Sequence, residues 1–143
     1  MTKPTYVSRT GVYGVARQDG RILLIKQQSG PHLGKFDLPG GGINPGETIE
    51  EALRREFLEE TGMAFDSMQL LVNLTANTES VKADGTPYLF HQIGLIFLVN
   101  GLSPSPNQAS ELEYFWLDPR QLPSTAISPF VRQLLDNVHQ VYQ

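Results

Sequence analysis

The sequence predicts an α/β or α+β sandwich in which helices cover a mixed sheet. Three observations support this fold class. Segments rich in β-branched, aromatic and aliphatic residues recur along the chain, turn-forming loops separate them, and two helical patterns lie far apart. Because neither a repeat nor a linker interrupts the 143 residues, we expect a single domain spanning residues 1–143.

The strands are predicted from composition and from the turns between them. The turn "QDG" at 18–20 predicts a hairpin that joins the first two strands antiparallel. The segment "PYLFHQIGLIFLVN" is long and apolar enough to be central in a sheet, and 78–86 is expected to be a loop that turns at Asp84–Gly85. The predicted strands are 6–17, 21–27, 36–39, 68–77, 87–100 and 113–117.

Both helices carry recognisable end signals. Thr48 followed by Glu51 forms a capping box and Gly62 is a C-terminal cap, so the first helix should run from about Ile49 to Thr61. The second should begin with Ser128 as its cap and Pro129 in the first position. Its apolar face is formed by Phe130, Leu134, Val138 and Val141.

Composition excludes several classes of function. A net charge of −4 without a basic cluster argues against binding to long nucleic acid or to an anionic membrane. The chain has no cysteine, which excludes disulfides and thiolate chemistry and suits a reducing compartment. No apolar segment is long enough for a membrane span or a signal peptide, so we expect a cytoplasmic protein.

The first helix places acids on its apolar face. At about 100° per residue, Glu56 and Glu60 fall within the stripe formed by Ile49, Leu53 and Phe57. Acidic helix faces are usually solvated, but an unpaired carboxylate at a core-facing position costs several kcal/mol, so a cation must compensate. Lysine or arginine could do so, although neighbouring carboxylates suit Mg²⁺ or Mn²⁺ better.

The opposite side of this helix needs no function. Glu50 with Arg54 and Glu51 with Arg55 are i,i+4 pairs, each expected to contribute a few tenths of a kcal/mol. The glycine triplet 40–42 lies between a strand and the helix, where backbone lacking Cβ atoms can approach a ligand closely. A plain turn would also explain a triplet taken alone.

The glycines and the acids together resemble the Nudix box, the signature of the Nudix hydrolases. Gly41 is followed after five residues by Glu47 and after seven more by "REFLEETGM", residues 55–63, so every fixed Gly, Glu and Arg of the signature is present. The layout from "ILLIKQ" to the terminal helix also resembles a Nudix domain. The departures are Phe57 and Met63, where the family prefers Ile, Leu or Val, and Phe36, where it usually has Trp.

The resemblance implies a Nudix-like α/β/α sandwich with the mixed sheet between helices. It also implies hydrolysis of a nucleoside diphosphate linked to another moiety, with Mg²⁺ or Mn²⁺ as cofactor. Carried over by position, Glu56, Glu59, Glu60 and the Gly41 or Gly40 carbonyl would hold metal. Arg55 would orient a carboxylate and Glu47 would support it.

Further roles follow from the same resemblance. Lys26 matches a position where the family often has a basic residue that binds phosphate. Gly40, Gly41 and Gly42 would line the substrate site. The general base would be Glu56 or a loop glutamate, for which the candidates are Glu79, Glu111 and Glu113, with Glu111 favoured. The three histidines, His32, His91 and His139, are expected to be structural or surface residues, and Trp116, Tyr88 and Phe90 to belong to the core.

The substrate stays open at this stage. Marks that follow the box in some subfamilies, a proline for ADP-ribose or a tyrosine for dinucleoside polyphosphates, are absent from "ANTES" at 76–80. A nucleoside triphosphate, a nucleotide sugar and ADP-ribose all fit, acted on by a monomer or homodimer. The alternatives are a catalytically silent nucleotide sensor of the same fold and an acidic calcium-binding or protein-binding helix. An isoprenyl diphosphate isomerase would, on family expectation, need a cysteine.

Overall fold

The computed structural model describes residues 5–137. Its strands are β1 (Tyr6–Val15), β2 (Arg17–Gln18), β3 (Arg21–Lys26), β4 (Phe36–Asp37), β5 (Gly40–Gly42), β6 (Met63–Ala64), β7 (Ser67–Val81), β8 (Pro87–Asn100), β9 (Ser103–Pro104) and β10 (Tyr114–Leu117). Its helices are α1 (Ile49–Thr61), α2 (Pro129–Asn137) and two single 3₁₀ turns at Pro119–Gln121 and Ser124–Ala126.

The main sheet is mixed, as predicted. Its strand order is β5-β1-β8-β7, with β1 and β8 parallel and the other neighbours antiparallel. The long apolar strand β8 is interior, which confirms its central position. A second sheet has the order β10-β3-β2, with β4 paired to β3, and β6 pairs with β9.

Two predictions about the strands were only partly right: the turns at 18–20 and at Asp84–Gly85 are present, but the strands that they join have other bounds. The turn at 18–20 joins only the two-residue strand β2 to β3, while β1 belongs to the other sheet because its backbone pairs with β8 and β5. The loop predicted at 78–86 is shorter, since β7 continues to Val81 and pairs with β8 up to Pro87. Polar residues are tolerated there because these strand ends are largely exposed.

The two helices pack against different cores. Alternate residues of a strand face opposite sides, so Val12 joins a cluster with Leu53 and Phe57 of α1. Tyr13 joins a second cluster with Phe130 and other residues of α2. The sheets therefore lie between the helices, and the predicted sandwich is confirmed.

Helix α1 has the predicted bounds and caps. The Thr48 hydroxyl accepts from the Glu51 amide at 3.1 Å, and the Thr48 amide donates to Glu51 Oε1 at 3.3 Å. Gly62 adopts the left-handed conformation (φ 71°) that ends the helix and donates to the Leu58 carbonyl. Local chemistry thus sets the register in which α1 presents its acids.

Helix α2 begins as predicted. Ser128 Oγ accepts from the Val131 amide at 3.3 Å and donates to Asp37 Oδ1 at 2.7 Å, which ties the helix start to strand β4. The predicted apolar positions Val138 and Val141 lie outside the described residues. None of the helices within residues 5–137 has the length and apolar character needed to cross a bilayer.

We expect Phe57→Ala to destabilise the protein by about 3–5 kcal/mol, because it leaves a cavity in the core beneath α1. Phe57 is fully buried and packs edge-on to Phe65 at 5.4 Å. Urea unfolding measures the loss. Leu33→Ala is the control, since Leu33 is 64% exposed, and a loss in Phe57→Ala no larger than in the control would contradict this packing.

Candidate active site

The glycine strand β5 lies directly against the acidic flank of α1. A Cβ atom placed on Gly41 would stand 2.7 Å from Glu56 Oε2, so no larger residue fits while that carboxylate keeps its place. The Gly40 amide donates to Glu60 Oε1 at 2.8 Å. The structure therefore brings Glu56, Glu60 and the glycines together, as the helical spacing and the motif predict.

Arg55 is the centre of an ion-pair network beside these acids. Its Nε and Nη2 donate to both oxygens of Glu47, at 2.7 and 2.8 Å, and its Nη1 donates to Glu56 at 2.9 Å. Its Nη2 also donates to the Gly42 carbonyl, at 3.0 Å. Glu59 is more exposed and lies 3.5 Å from Arg55 Nη1.

The predicted surface pairs are only half right. Glu50 and Arg54 lie 3.7 Å apart at the surface, as expected. The Glu51–Arg55 pair was wrong, because Arg55 turns instead toward Glu47, and Glu51 is engaged in the capping box. Helical spacing alone did not reveal that the Glu47 loop folds back over the helix.

Burial and the ion pairs shift the acids in opposite directions. Burial raises the pKa of Glu60 to about 8, against the opposing effect of the Gly40 amide. Burial also raises the pKa of Glu56, although the bond from Arg55 opposes the shift. Arg55 lowers the pKa of Glu47 to about 2. At Glu56 and Glu60 the loss of solvation therefore outweighs the stabilisation that neighbouring donors give to the ionised carboxylates.

These residues fit a hard divalent cation. Mg²⁺ and Mn²⁺ prefer carboxylate and carbonyl oxygens as ligands. Here carboxylates that burial disfavours in the ionised form lie beside a glycine strand, whose residues have no side chains to shield their carbonyls. Within residues 5–137 no three acidic or histidine side chains already converge as a metal site. Glu60 is held by Gly40, and Glu56 and Glu59 are both drawn to Arg55, so side-chain rotation would have to accompany binding.

The loop that carries Glu111 is attached to the end of α1. The Glu111 amide donates to the Glu59 carbonyl at 2.9 Å, and the Leu112 amide donates to the Glu60 carbonyl at 3.4 Å. The Glu111 charge contributes, behind burial and nearer acids, to the raised pKa of Glu60. By contrast, Glu79 lies within β7 rather than in a loop, near the hairpin end. Glu111 and Glu113 are both exposed.

A cleft of about 220 Å³ opens beside the acids and includes residues that the sequence did not single out. Arg9, Tyr13 and Gln92 project from β1 and β8, and Phe90 and the loop residue His32 complete that side. Arg9, Tyr13 and Gln92 were missed because only the parallel pairing of β1 with β8 brings them together. Lys26 does not line the cleft; its Nζ lies 5.9 Å from the Phe36 ring centroid.

One wall of the cleft is a buried hydrogen-bond chain. The side-chain amide of Gln92 donates through Nε2 to the Tyr13 hydroxyl at 2.8 Å, and its Oε1 lies 3.1 Å from His32 Nε2. The other ring nitrogen of His32, Nδ1, is buried and has no hydrogen-bond partner among the described residues. Burial raises the pKa of Tyr13 to about 12. His32 is buried, and its structural role stays a prediction. His91 bonds Ser8 at the exposed end of the sheet, and His139 lies outside the described residues. Phe90, expected in the core, is partly exposed in the cleft.

Comparison with known proteins identifies the family. The model of the NUDIX domain matches residues 5–138, so the chain belongs to the Nudix family. Among solved structures, a MutT NUDIX hydrolase from Burkholderia pseudomallei superposes with a TM-score of 0.64 at 30% identity, covering 92% of this chain and 98% of that one.

Relatives in the family carry more than one activity in their names. An ADP-ribose pyrophosphatase of Methanocaldococcus jannaschii is 34% identical over 115 residues, 80% of this chain and 64% of that protein. A nucleoside triphosphatase NudI of Escherichia coli is 37% identical over 123 residues, 80% of this chain and 84% of that protein. The chain thus spans slightly less than two thirds of the archaeal relative.

We expect Glu47→Gln to lower stability at pH 7, because it weakens the bidentate pair with Arg55. Since the pKa of Glu47 is lowered from 4.5 to about 2 in the folded protein, its contribution is present above pH 4.5 and is lost as the pH falls toward 2. The difference in unfolding free energy from wild type, measured between pH 7 and 3, should shrink accordingly. Glu50→Gln should show no such trend, and a difference for Glu47→Gln that is constant with pH would contradict the pairing.

Proposed function

We propose that this protein is a metal-dependent pyrophosphohydrolase of the Nudix family that cleaves a nucleoside diphosphate linked to another moiety. The observation that carries the proposal is the contact of the partly buried Glu56 and Glu60 carboxylates with Gly41 and Gly40 at the edge of a cleft. These carboxylates can bind a divalent ion, and an ion bound in this way can also coordinate the oxygens of a pyrophosphate group.

In this proposal Glu56, Glu59, Glu60 and the Gly41 carbonyl hold Mg²⁺ or Mn²⁺. When bound, the ion would neutralise charge on the pyrophosphate and make hydroxide available near neutral pH. Arg55 keeps Glu56 beside Gly41 and is itself fixed by Glu47. Gly40 and Gly42 expose backbone on either side of Gly41, and the Gly40 amide keeps the Glu60 carboxylate at the strand.

The attacking water must lose a proton to a nearby carboxylate. Glu56 and Glu111 are the candidates that we retain. Glu56 lies against Gly41, and two backbone bonds to α1 keep the Glu111 loop next to Glu59 and Glu60. Glu79 is withdrawn, because its place near the end of the β7–β8 hairpin is remote from Gly41 in the pairing of the sheet.

A nucleoside triphosphate is the substrate that we favour. The alignment with the nucleoside triphosphatase NudI of Escherichia coli extends over 84% of that protein, whereas the alignment with the ADP-ribose pyrophosphatase extends over 64%. ADP-ribose is the second candidate, and a nucleotide sugar the third. A cytoplasmic monomer or homodimer, expected from the sequence, completes the proposal.

The direct test is a panel of nucleoside triphosphates, ADP-ribose and nucleotide sugars. We expect turnover of at least one compound with Mg²⁺ or Mn²⁺ and no turnover with EDTA, because the buried acids alone would repel a polyanion. Product chromatography measures nucleoside monophosphate. Equal turnover in EDTA would contradict the metal requirement, and no turnover of any member would contradict the proposed reaction.

We expect Glu59→Gln and Glu60→Gln each to reduce kcat by about two orders of magnitude or more, since each removes a charged oxygen ligand. Both should keep their fold, because the amide of glutamine can still accept from Gly40 and Glu59 is partly exposed. Circular dichroism and thermal unfolding check the fold. Glu50→Gln on the solvated side of α1 is the matched control, and wild-type turnover in both site variants would defeat the ligand assignment.

A further inference from the structure

Arg9 is a cation of the cleft that the motif does not contain. It lies on β1 opposite Gln92 of β8, is exposed, and lines the cleft together with Gly41 and Glu56. Its guanidinium rests over the glycine strand. A Cβ atom placed on Gly42 would stand 2.7 Å from Arg9 Nη2 and 3.0 Å from its Nε.

Glycine at position 42 leaves room for the Arg9 guanidinium, whereas its backbone conformation does not require a glycine. Its φ is not in the left-handed region, unlike that of Gly40 at 151°, so an L-residue could adopt the same conformation. The three atoms nearest to a methyl group there all belong to the tip of the flexible Arg9 side chain. Alanine at 42 should therefore be tolerated by the fold and should displace the guanidinium.

Arg9 acts on Glu56 and Tyr13 through its charge, but it forms no close ion pair among the described residues. The cleft also contains Asp37, Glu56 and Glu60. Arg9 is the cationic residue among the described residues that line this cleft. A guanidinium with free donors beside a site for a polyanion is suited to binding phosphate oxygens in a bidentate manner.

We infer that Arg9, seated over Gly42, binds a phosphate group of the substrate and takes the part that the family resemblance assigned to Lys26. The inference rests on the proposed function. It differs from the motif-based expectation because Lys26 is directed to the Phe36 ring and lies outside the cleft lining. Arg9 would thus be a substrate-binding residue that acts mainly on KM.

The experiment compares Arg9→Ala, Arg9→Lys, Gly42→Ala, the double variant Arg9→Ala/Gly42→Ala and Lys26→Ala, using the best substrate of the panel. Lys82→Ala, which removes one positive charge in the loop between β7 and β8, is the control. Binding of inorganic pyrophosphate with Mg²⁺ is measured by calorimetry for the same proteins. Thermal unfolding verifies that each variant is folded.

We expect Arg9→Ala and Gly42→Ala each to raise KM about tenfold or more, with kcat changed less than about threefold, because a charge-assisted contact to substrate is lost. The double variant should be no worse than Arg9→Ala, since both changes remove one contact. Arg9→Lys should recover part of the loss. The Kd for pyrophosphate should rise with KM, and Lys82→Ala should match wild type.

Two results would overturn the inference: a KM of Arg9→Ala equal to that of Lys82→Ala, or a larger increase in Lys26→Ala than in Arg9→Ala. An effect of Gly42→Ala that persists undiminished in the Arg9→Ala background would overturn the role given to Gly42. If wild type binds pyrophosphate through Arg9 but hydrolyses no member of the panel, the proposed reaction fails and the inference stands. If wild type neither binds pyrophosphate nor hydrolyses any member of the panel, the proposed reaction and the inference about Arg9 both fail.

Discussion

The site depends on one constraint, the close approach of the glycine strand β5 to the acidic flank of α1. The strand can lie there only because residue 41 has no side chain, since the space of its Cβ is taken by the Glu56 carboxylate. The approach is fixed from both sides. Antiparallel pairing with β1 holds the glycines, and the capping box together with Gly62 fixes the helix. A shift of the helix register by one residue would move each acid by about 100°.

Burial at this contact has an electrostatic consequence. Arg55 contacts Glu56 and Glu59 and already holds both oxygens of Glu47, whereas Glu60 accepts only from the Gly40 amide among the described residues. The pKa of Glu60 is raised chiefly by burial, and the negative charges of Glu56, Asp37 and Glu111 add to the shift. An arrangement that is unfavourable in isolation is typical of functional sites, where a ligand supplies the missing interaction. Arg55 reduces the free-energy cost of burying these acids, because it is hydrogen-bonded to both Glu56 and Glu47.

Much of α1 could be predicted from the sequence, because its determinants are local. Thr48, Glu51 and Gly62 lie within the helix or beside it, and their hydrogen bonds require no knowledge of distant contacts. The inward direction of Glu56 and Glu60 follows from helical periodicity in the same way. The central position of β8 was also predictable, because a long apolar segment is typical of a strand that packs on both faces, and β8 contributes to both core clusters.

What could not be predicted depends on pairing between distant segments. The parallel register of β1 with β8 places Arg9 beside Gln92, residues 83 positions apart in the chain, and no local pattern reveals that neighbourhood. Helical spacing paired Arg55 with Glu51, and only the family resemblance linked it to a box carboxylate and Glu47, because the fold of the 42–47 loop is what brings Glu47 to it. The same reason explains why Lys26 was singled out although Arg9 lines the cleft.

The central claim is that the inward acids of α1 and the backbone at Gly41 form one cation site. A crystal structure of the protein with Mn²⁺, read by its anomalous signal, tests it most directly. We expect an ion bounded by Glu56, Glu59, Glu60 and the Gly41 carbonyl, with oxygen distances of about 2.0–2.3 Å. Manganese bound only elsewhere, with Glu60 still on the Gly40 amide and Glu56 still on Arg55, would contradict the account.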